Sequence, residues 1–73
     1  MFNGERLRRL RKEAKLTQAD AATKLNIKRE TYTRYETGTI TPPADMVVTL
    51  ANLFNVSSDY LLSNTSVNLK FMI

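Results

Sequence analysis

Seventy-three residues, with eleven Lys and Arg against seven Asp and Glu, give one small domain with a net charge of +4. The chain has no cysteine and no histidine, so disulfides, thiolate metal sites, the commonest general base and the commonest metal ligand are all excluded. No apolar run approaches the ~18 residues of a membrane span. Residues 1–20 are too charged for a signal peptide, so a cytoplasmic protein is expected. Ten of the eleven bases lie between Arg6 and Arg34, and residues 37–69 carry none. Such a one-sided basic half points to a polyanion, nucleic acid before an anionic membrane surface. Short helices that merely solvate themselves would show the same charges.

The first predicted helix covers residues 5–14. Leu7, Leu10 and Ala14 fall at i, i+3 and i+7 and form one apolar stripe on a charged helix, with Glu5 in the first turn. A second helix begins after Thr17, whose hydroxyl suits an N-cap, and Asp20 three residues on completes a capping box with Asp in place of Glu. It runs through Ala21, Ala22 and Leu25, and Asn26 stops it in a left-handed conformation. A third helix covers about 28–37, with Tyr32 and Tyr35 on one face and Gly38 as its stop. Only Asn26 and Ile27 separate the second and third helices, which forces a sharp angle between them.

The stretch TITPP, residues 39–43, is a rigid loop, and Pro42 or Pro43 opens a fourth helix. Val47, Leu50, Ala51 and Phe54 carry its apolar face, and Asn55 ends it. Ser57 caps a fifth helix containing Leu61 and Leu62. The fold class is therefore all-α, with a domain over residues 1–63. Residues 64–73 alternate apolar and polar, the period of a strand. A lone strand beside a helical domain can pair with its copy in a symmetric dimer, dock on the domain, or stay disordered.

The order Leu16-Thr17-Gln18, Tyr35-Glu36-Thr37-Gly38, Pro42, and Ala51 through Leu62 resembles the Cro/C1-type helix-turn-helix family, the XRE family of phage-repressor-like regulators. The match covers residues 5–62 without a gap. It implies a five-helix, lambda-repressor-like domain with its helix-turn-helix at about 17–37. In that layout the third helix enters the major groove and the second crosses the backbone.

The resemblance assigns the exposed face of the third helix to DNA: Lys28, Arg29, Glu30, Thr33 and Arg34. Lys28 and Arg29 take base or phosphate contacts over a merely solubilising role, and an arginine bidentate to guanine is worth roughly 1–3 kcal/mol of discrimination. Thr33 meets a thymine methyl or sits on the rim, and Arg34 reaches a phosphate. Glu30 accepts from a cytosine amino group or instead pairs with Arg34 at i+4. Thr17 and Gln18 stand at a helix N-terminus suited to phosphate. The family's glutamine at the position of Gln18 also braces the third helix. Thr39 and Ile40 offer amides to the next phosphate. The family pairs the positions of Arg11 and Glu36 in a partly buried salt bridge, so these two are structural rather than DNA contacts.

Five positions depart from the family pattern. Ala21 replaces a usual leucine while Tyr32 replaces a small aliphatic residue, so the ring is expected to fill the vacated volume. Lys15 stands at a frequent glycine position and should carry backbone strain. Lys28 replaces a preferred Ser or Thr cap, a loss of about 1 kcal/mol. Ser63 replaces a frequent glycine.

The resulting expectation is a sequence-specific double-stranded DNA-binding repressor, acting as a homodimer on a palindromic operator, with no enzymatic activity, cofactor, metal or membrane partner. Three other readings share the fold. One is the antitoxin of a toxin–antitoxin pair. Another is the amino-terminal domain of a longer repressor. The third is a protein-interaction module that has lost DNA binding. In the first and last of these a protein partner, such as a toxin or an antirepressor, takes the place of the operator or joins it.

Overall fold

Asn3 starts the first helix: its side-chain Oδ1 accepts from the Arg6 amide at 3.1 Å, and its own amide donates to the Leu61 carbonyl at 2.7 Å. In the computed structural model, which describes residues 2–62, the helix that follows is α1 (Gly4–Glu13), one residue ahead of the expected start. Gly4 is there because α1 begins against the end of the third helix. A Cβ on Gly4 would lie 2.6 Å from the Tyr35 carbonyl oxygen and collide with the Glu36 backbone. Leu7 and Leu10 are buried as their spacing requires, whereas Ala14 is exposed. The helix unwinds at Lys15, whose φ of 60° is the left-handed strain expected there.

Thr17 and Asp20 form the expected capping box of α2 (Gln18–Leu25), with both reciprocal hydrogen bonds at 3.0 Å. Asn26, at φ 58° and ψ 44°, ends it. Lys28 is the N-cap of α3 (Arg29–Thr37) and makes no side-chain capping bond, in keeping with its departure from Ser or Thr. Gly38 takes φ 79° at the C-terminus.

The fourth helix, α4 (Ala44–Phe54), starts later than expected. Pro43 is its N-cap, not its first helical residue, because its ψ of 160° is extended. Pro42 is held out of the helical region by the proline that follows it. Asn55 ends α4 in the left-handed region, and Ser57 Oγ accepts from the Tyr60 amide at 3.1 Å to cap α5 (Ser58–Leu62).

The five helices of the described residues enclose one core, with Leu7, Tyr32, Leu50 and Leu61 fully buried at its centre. Ala21 and Tyr32 are both 0% exposed, so the small residue and the large ring share that core. Arg6 also turns inward: its Nη1 donates to the Tyr60 carbonyl at 2.7 Å and its guanidinium stacks 4.8 Å from the Tyr60 ring centroid, clamping α1 to α5. Among the described residues no helix is long and apolar enough to cross a membrane. The strand expected at 64–73, and Ser63, lie outside the described residues.

Candidate nucleic-acid interface

Three residues, Asn26, Ile27 and Lys28, join α2 to α3. Asn26 turns the chain, and the Ile27 amide donates to the Ala22 carbonyl at 3.0 Å while its side chain packs against the core. The turn therefore fixes where α3 begins. Along α3, Tyr32, Tyr35 and Glu36 are buried. Lys28, Arg29, Glu30 and Arg34 are exposed, and Thr33 lies half-buried between the two faces. Helical spacing thus separates the tyrosines from the charged residues. Gln18, Arg29, Glu30, Thr33 and Arg34 line one open depression between the start of α2 and the outer face of α3.

A chain of polar contacts runs beneath this depression. Arg11 Nε meets Glu36 Oε2 at 2.6 Å, with Arg11 at 10% and Glu36 at 2% side-chain exposure. Arg11 Nη2 donates to Glu36 Oε1 at 3.3 Å, and its Nη1 donates to the Leu16 carbonyl at 2.8 Å. Gln18 Nε2 then donates to Glu36 Oε1 at 3.1 Å, and Gln18 Oε1 accepts from the Thr33 hydroxyl at 3.1 Å. One continuous network therefore ties α1, the α1–α2 turn, the first residue of α2 and two turns of α3. Arg11 and Glu36 form the buried pair that the family resemblance implies. The Leu16 carbonyl that completes Arg11 carries no side-chain signal in the sequence.

The electrostatics follow from burial. Burial alone raises the Glu36 carboxyl, but its contacts with Arg11, Tyr32 and Gln18 and the Arg11 charge outweigh it, and the group titrates below its ordinary value. The hydrogen bond to Glu36 raises Arg11 above its ordinary value. Burial first, and then the neighbouring Glu36 carboxylate through its close approach and its charge, hold the Tyr32 phenol protonated well above its ordinary range. The Tyr32 hydroxyl is buried without a hydrogen-bond partner among the described residues.

Of the residues singled out from sequence, Gln18, Arg29, Glu30, Thr33 and Arg34 come together at the depression, and Lys28 adjoins them at the N-cap of α3. Among the described residues Glu30 and Arg34 form no ion pair, so Arg34 is not held by its i+4 neighbour. Thr17 is committed to its capping bond, and Asp20 beside it is held below the ordinary carboxylate value, chiefly by the Thr17 amide. The amides of Thr39 and Ile40 are not open to a phosphate, contrary to expectation. Both donate to the Arg34 carbonyl, at 3.0 and 3.4 Å, because the last carbonyls of α3 need donors. Thr39 instead offers its hydroxyl, 2.8 Å from that of Thr37.

Comparison with known proteins adds a family. A model described as a helix-turn-helix domain matches residues 4–67. The chain is 43% identical over 70 residues to the HTH-type transcriptional regulator ImmR of Bacillus subtilis (strain 168), covering 96% of the chain and 55% of the relative. It is 44% identical over 66 residues to the uncharacterized HTH-type transcriptional regulator YqaE of that organism, covering 90% of the chain and 56% of the relative. It is 37% identical over 62 residues to the SPbeta prophage-derived uncharacterized regulator YonR, covering 85% of the chain and 57% of the relative. The chain thus spans about half the length of the curated relatives it matches.

Proposed function

Because the chain belongs to the helix-turn-helix domain family, and its relatives are named as transcriptional regulators, we propose that it binds double-stranded DNA sequence-specifically and regulates transcription, as a repressor. The observation that carries this reading is the two-sided character of α3. Its inner face is locked by Tyr32, Tyr35 and the Glu36 network, and its outer face presents Lys28, Arg29, Glu30 and Arg34 to solvent. A major groove about 12 Å wide accepts one such helix.

In this mechanism Arg29 forms the bidentate contact to a guanine, and Glu30 accepts from a cytosine amino group. Lys28 and Arg34 neutralise phosphates, which positions the helix without reading sequence. Thr17 and Gln18 approach the next phosphate at the positive end of α2, and Thr39 approaches another through its hydroxyl. A homodimer places two α3 helices on a palindromic operator with half-site centres ~34 Å apart, and repression follows from occlusion of overlapping promoters.

Selection from a random duplex pool at near-physiological salt, followed by sequencing, tests the proposal. A palindromic consensus that relaxes at one position per half-site in Arg29→Ala supports dimeric direct readout. Its affinity should fall steeply with added salt as phosphate counterions are released. Equal failure of wild type and variant to enrich any sequence contradicts the proposal and favours a protein partner.

A further inference from the structure

We infer that Thr33 reads the 5-methyl group of a thymine with its own methyl group, because its hydroxyl is held by Gln18. The inference rests on the DNA-binding reading of α3. A hydroxyl has one hydrogen to donate, and that of Thr33 goes to Gln18 Oε1 at 3.1 Å. Gln18 cannot reverse its amide to release it. Its Nε2 donates to Glu36 Oε1 at 3.1 Å, and reversal would set the amide oxygen against a carboxylate that Arg11 holds in the charged form. The buried ion pair therefore fixes the orientation of Gln18, and Gln18 fixes the rotamer of Thr33.

With the hydroxyl held by Gln18, the methyl is the group Thr33 has left to offer the depression that it lines with Gln18, Arg29, Glu30 and Arg34. Those four neighbours present charged or amide groups, and Thr33 contributes the apolar one. In the major groove the thymine methyl is the apolar mark that separates one base from the rest. Residues 29 and 33 are four apart and stack on one face of α3, so this thymine neighbours the base pair that Arg29 contacts. Gln18 is in this scheme a positioning residue whose effect on base choice passes through Thr33.

The test uses the full chain and the duplex selected from the random pool. Each thymine of the consensus is replaced in turn by uracil, which lacks only the methyl group. At one position per half-site, uracil should weaken wild-type binding about fourfold, the equivalent of ~0.8 kcal/mol for one buried methyl-sized group. Thr33→Val keeps the shape and the methyl and should retain the uracil penalty. Thr33→Ser keeps the hydroxyl and should lose it. Gln18→Ala should blunt the penalty, and Gln18→Ala combined with Thr33→Val should restore it, since valine needs no tether. A selected consensus with no uracil penalty at any thymine overturns the inference while leaving DNA binding intact, and this arm needs no variant to fold. A penalty kept by serine and lost by valine also overturns it, because the hydroxyl would then be the reader. Failure of the wild type to enrich any sequence overturns both this inference and the DNA-binding reading.

Discussion

The two halves of this small domain are held together differently. In α1 to α3 the bases are concentrated, and a partly buried Arg11–Glu36–Gln18–Thr33 chain fixes α3 with directional polar contacts. In α4, α5 and the turn between them there is no Lys or Arg, and Val47, Leu50, Ala51, Val56 and Leu61 pack by apolar burial. Hydrophobic contact is non-directional, and it suffices where a helix only has to be present. Hydrogen-bonded charges tolerate little change in angle and suit a helix that has to be presented in one orientation. Both halves share one apolar core, and the N-terminal network adds to it a directional constraint that sets the orientation of α3.

The largest expected effect comes from breaking the network on one side. Arg11→Ala leaves the Glu36 carboxylate buried and unpaired and should lower stability by about 3–5 kcal/mol in denaturant unfolding. Replacing both partners, Arg11→Met with Glu36→Leu, should restore most of that loss yet leave the operator consensus broader than wild type. A double variant that matches wild type in both stability and selected sequence would erase the distinction between the halves.

The shared core tests the same region by volume. Ala21 and Tyr32 are both fully buried, so Ala21→Leu should overpack and lower stability by roughly 1–3 kcal/mol. Stabilisation by that substitution would refute the volume exchange between the two positions.

The pH dependence comes next in size. The Glu36 carboxyl titrates lower in the folded chain than its ordinary 4.5. Its stabilising contribution is therefore complete above that pH and is lost as pH falls through the folded value. Urea midpoints measured from pH 6 downward should decline below about pH 4.5. Arg11→Met with Glu36→Leu should show a shallower decline than wild type.

The smallest effect belongs to the turn after α1. Lys15→Gly relieves a left-handed residue but loosens the unfolded chain, for a net gain of about 0.5–1 kcal/mol in thermal unfolding.

Much of this was legible in the sequence, for local reasons. The capping box of Thr17 and Asp20 and the stops at Asn26, Gly38 and Asn55 are written within a few residues, whereas the strain at Lys15 came from the family's usual glycine there. The buried pairing of Arg11 with Glu36 came from the family resemblance, since twenty-five positions separate the two in the chain. What stayed hidden depends on partners remote in sequence. Gly4 gives no sign that α1 abuts the Tyr35 and Glu36 backbone. Arg6 looks like any other base of its helix until Tyr60 is seen beneath it. The amides of Thr39 and Ile40 looked available because the geometry that folds them back onto Arg34 depends on the path of the loop. In the candidate interface, the residue types of α3 were readable and the resemblance implied that Gln18 braces this helix, but not that Thr33 is the residue it holds.

The most direct measurement is an amide chemical-shift titration of the full, nitrogen-15-labelled chain with the selected duplex. The expected result is that the strongest perturbations fall at residues 17–18 and 28–34, with small changes across α4 and α5. Perturbations centred on α4 and α5, with α3 unchanged, would contradict the assignment of DNA recognition to the outer face of α3.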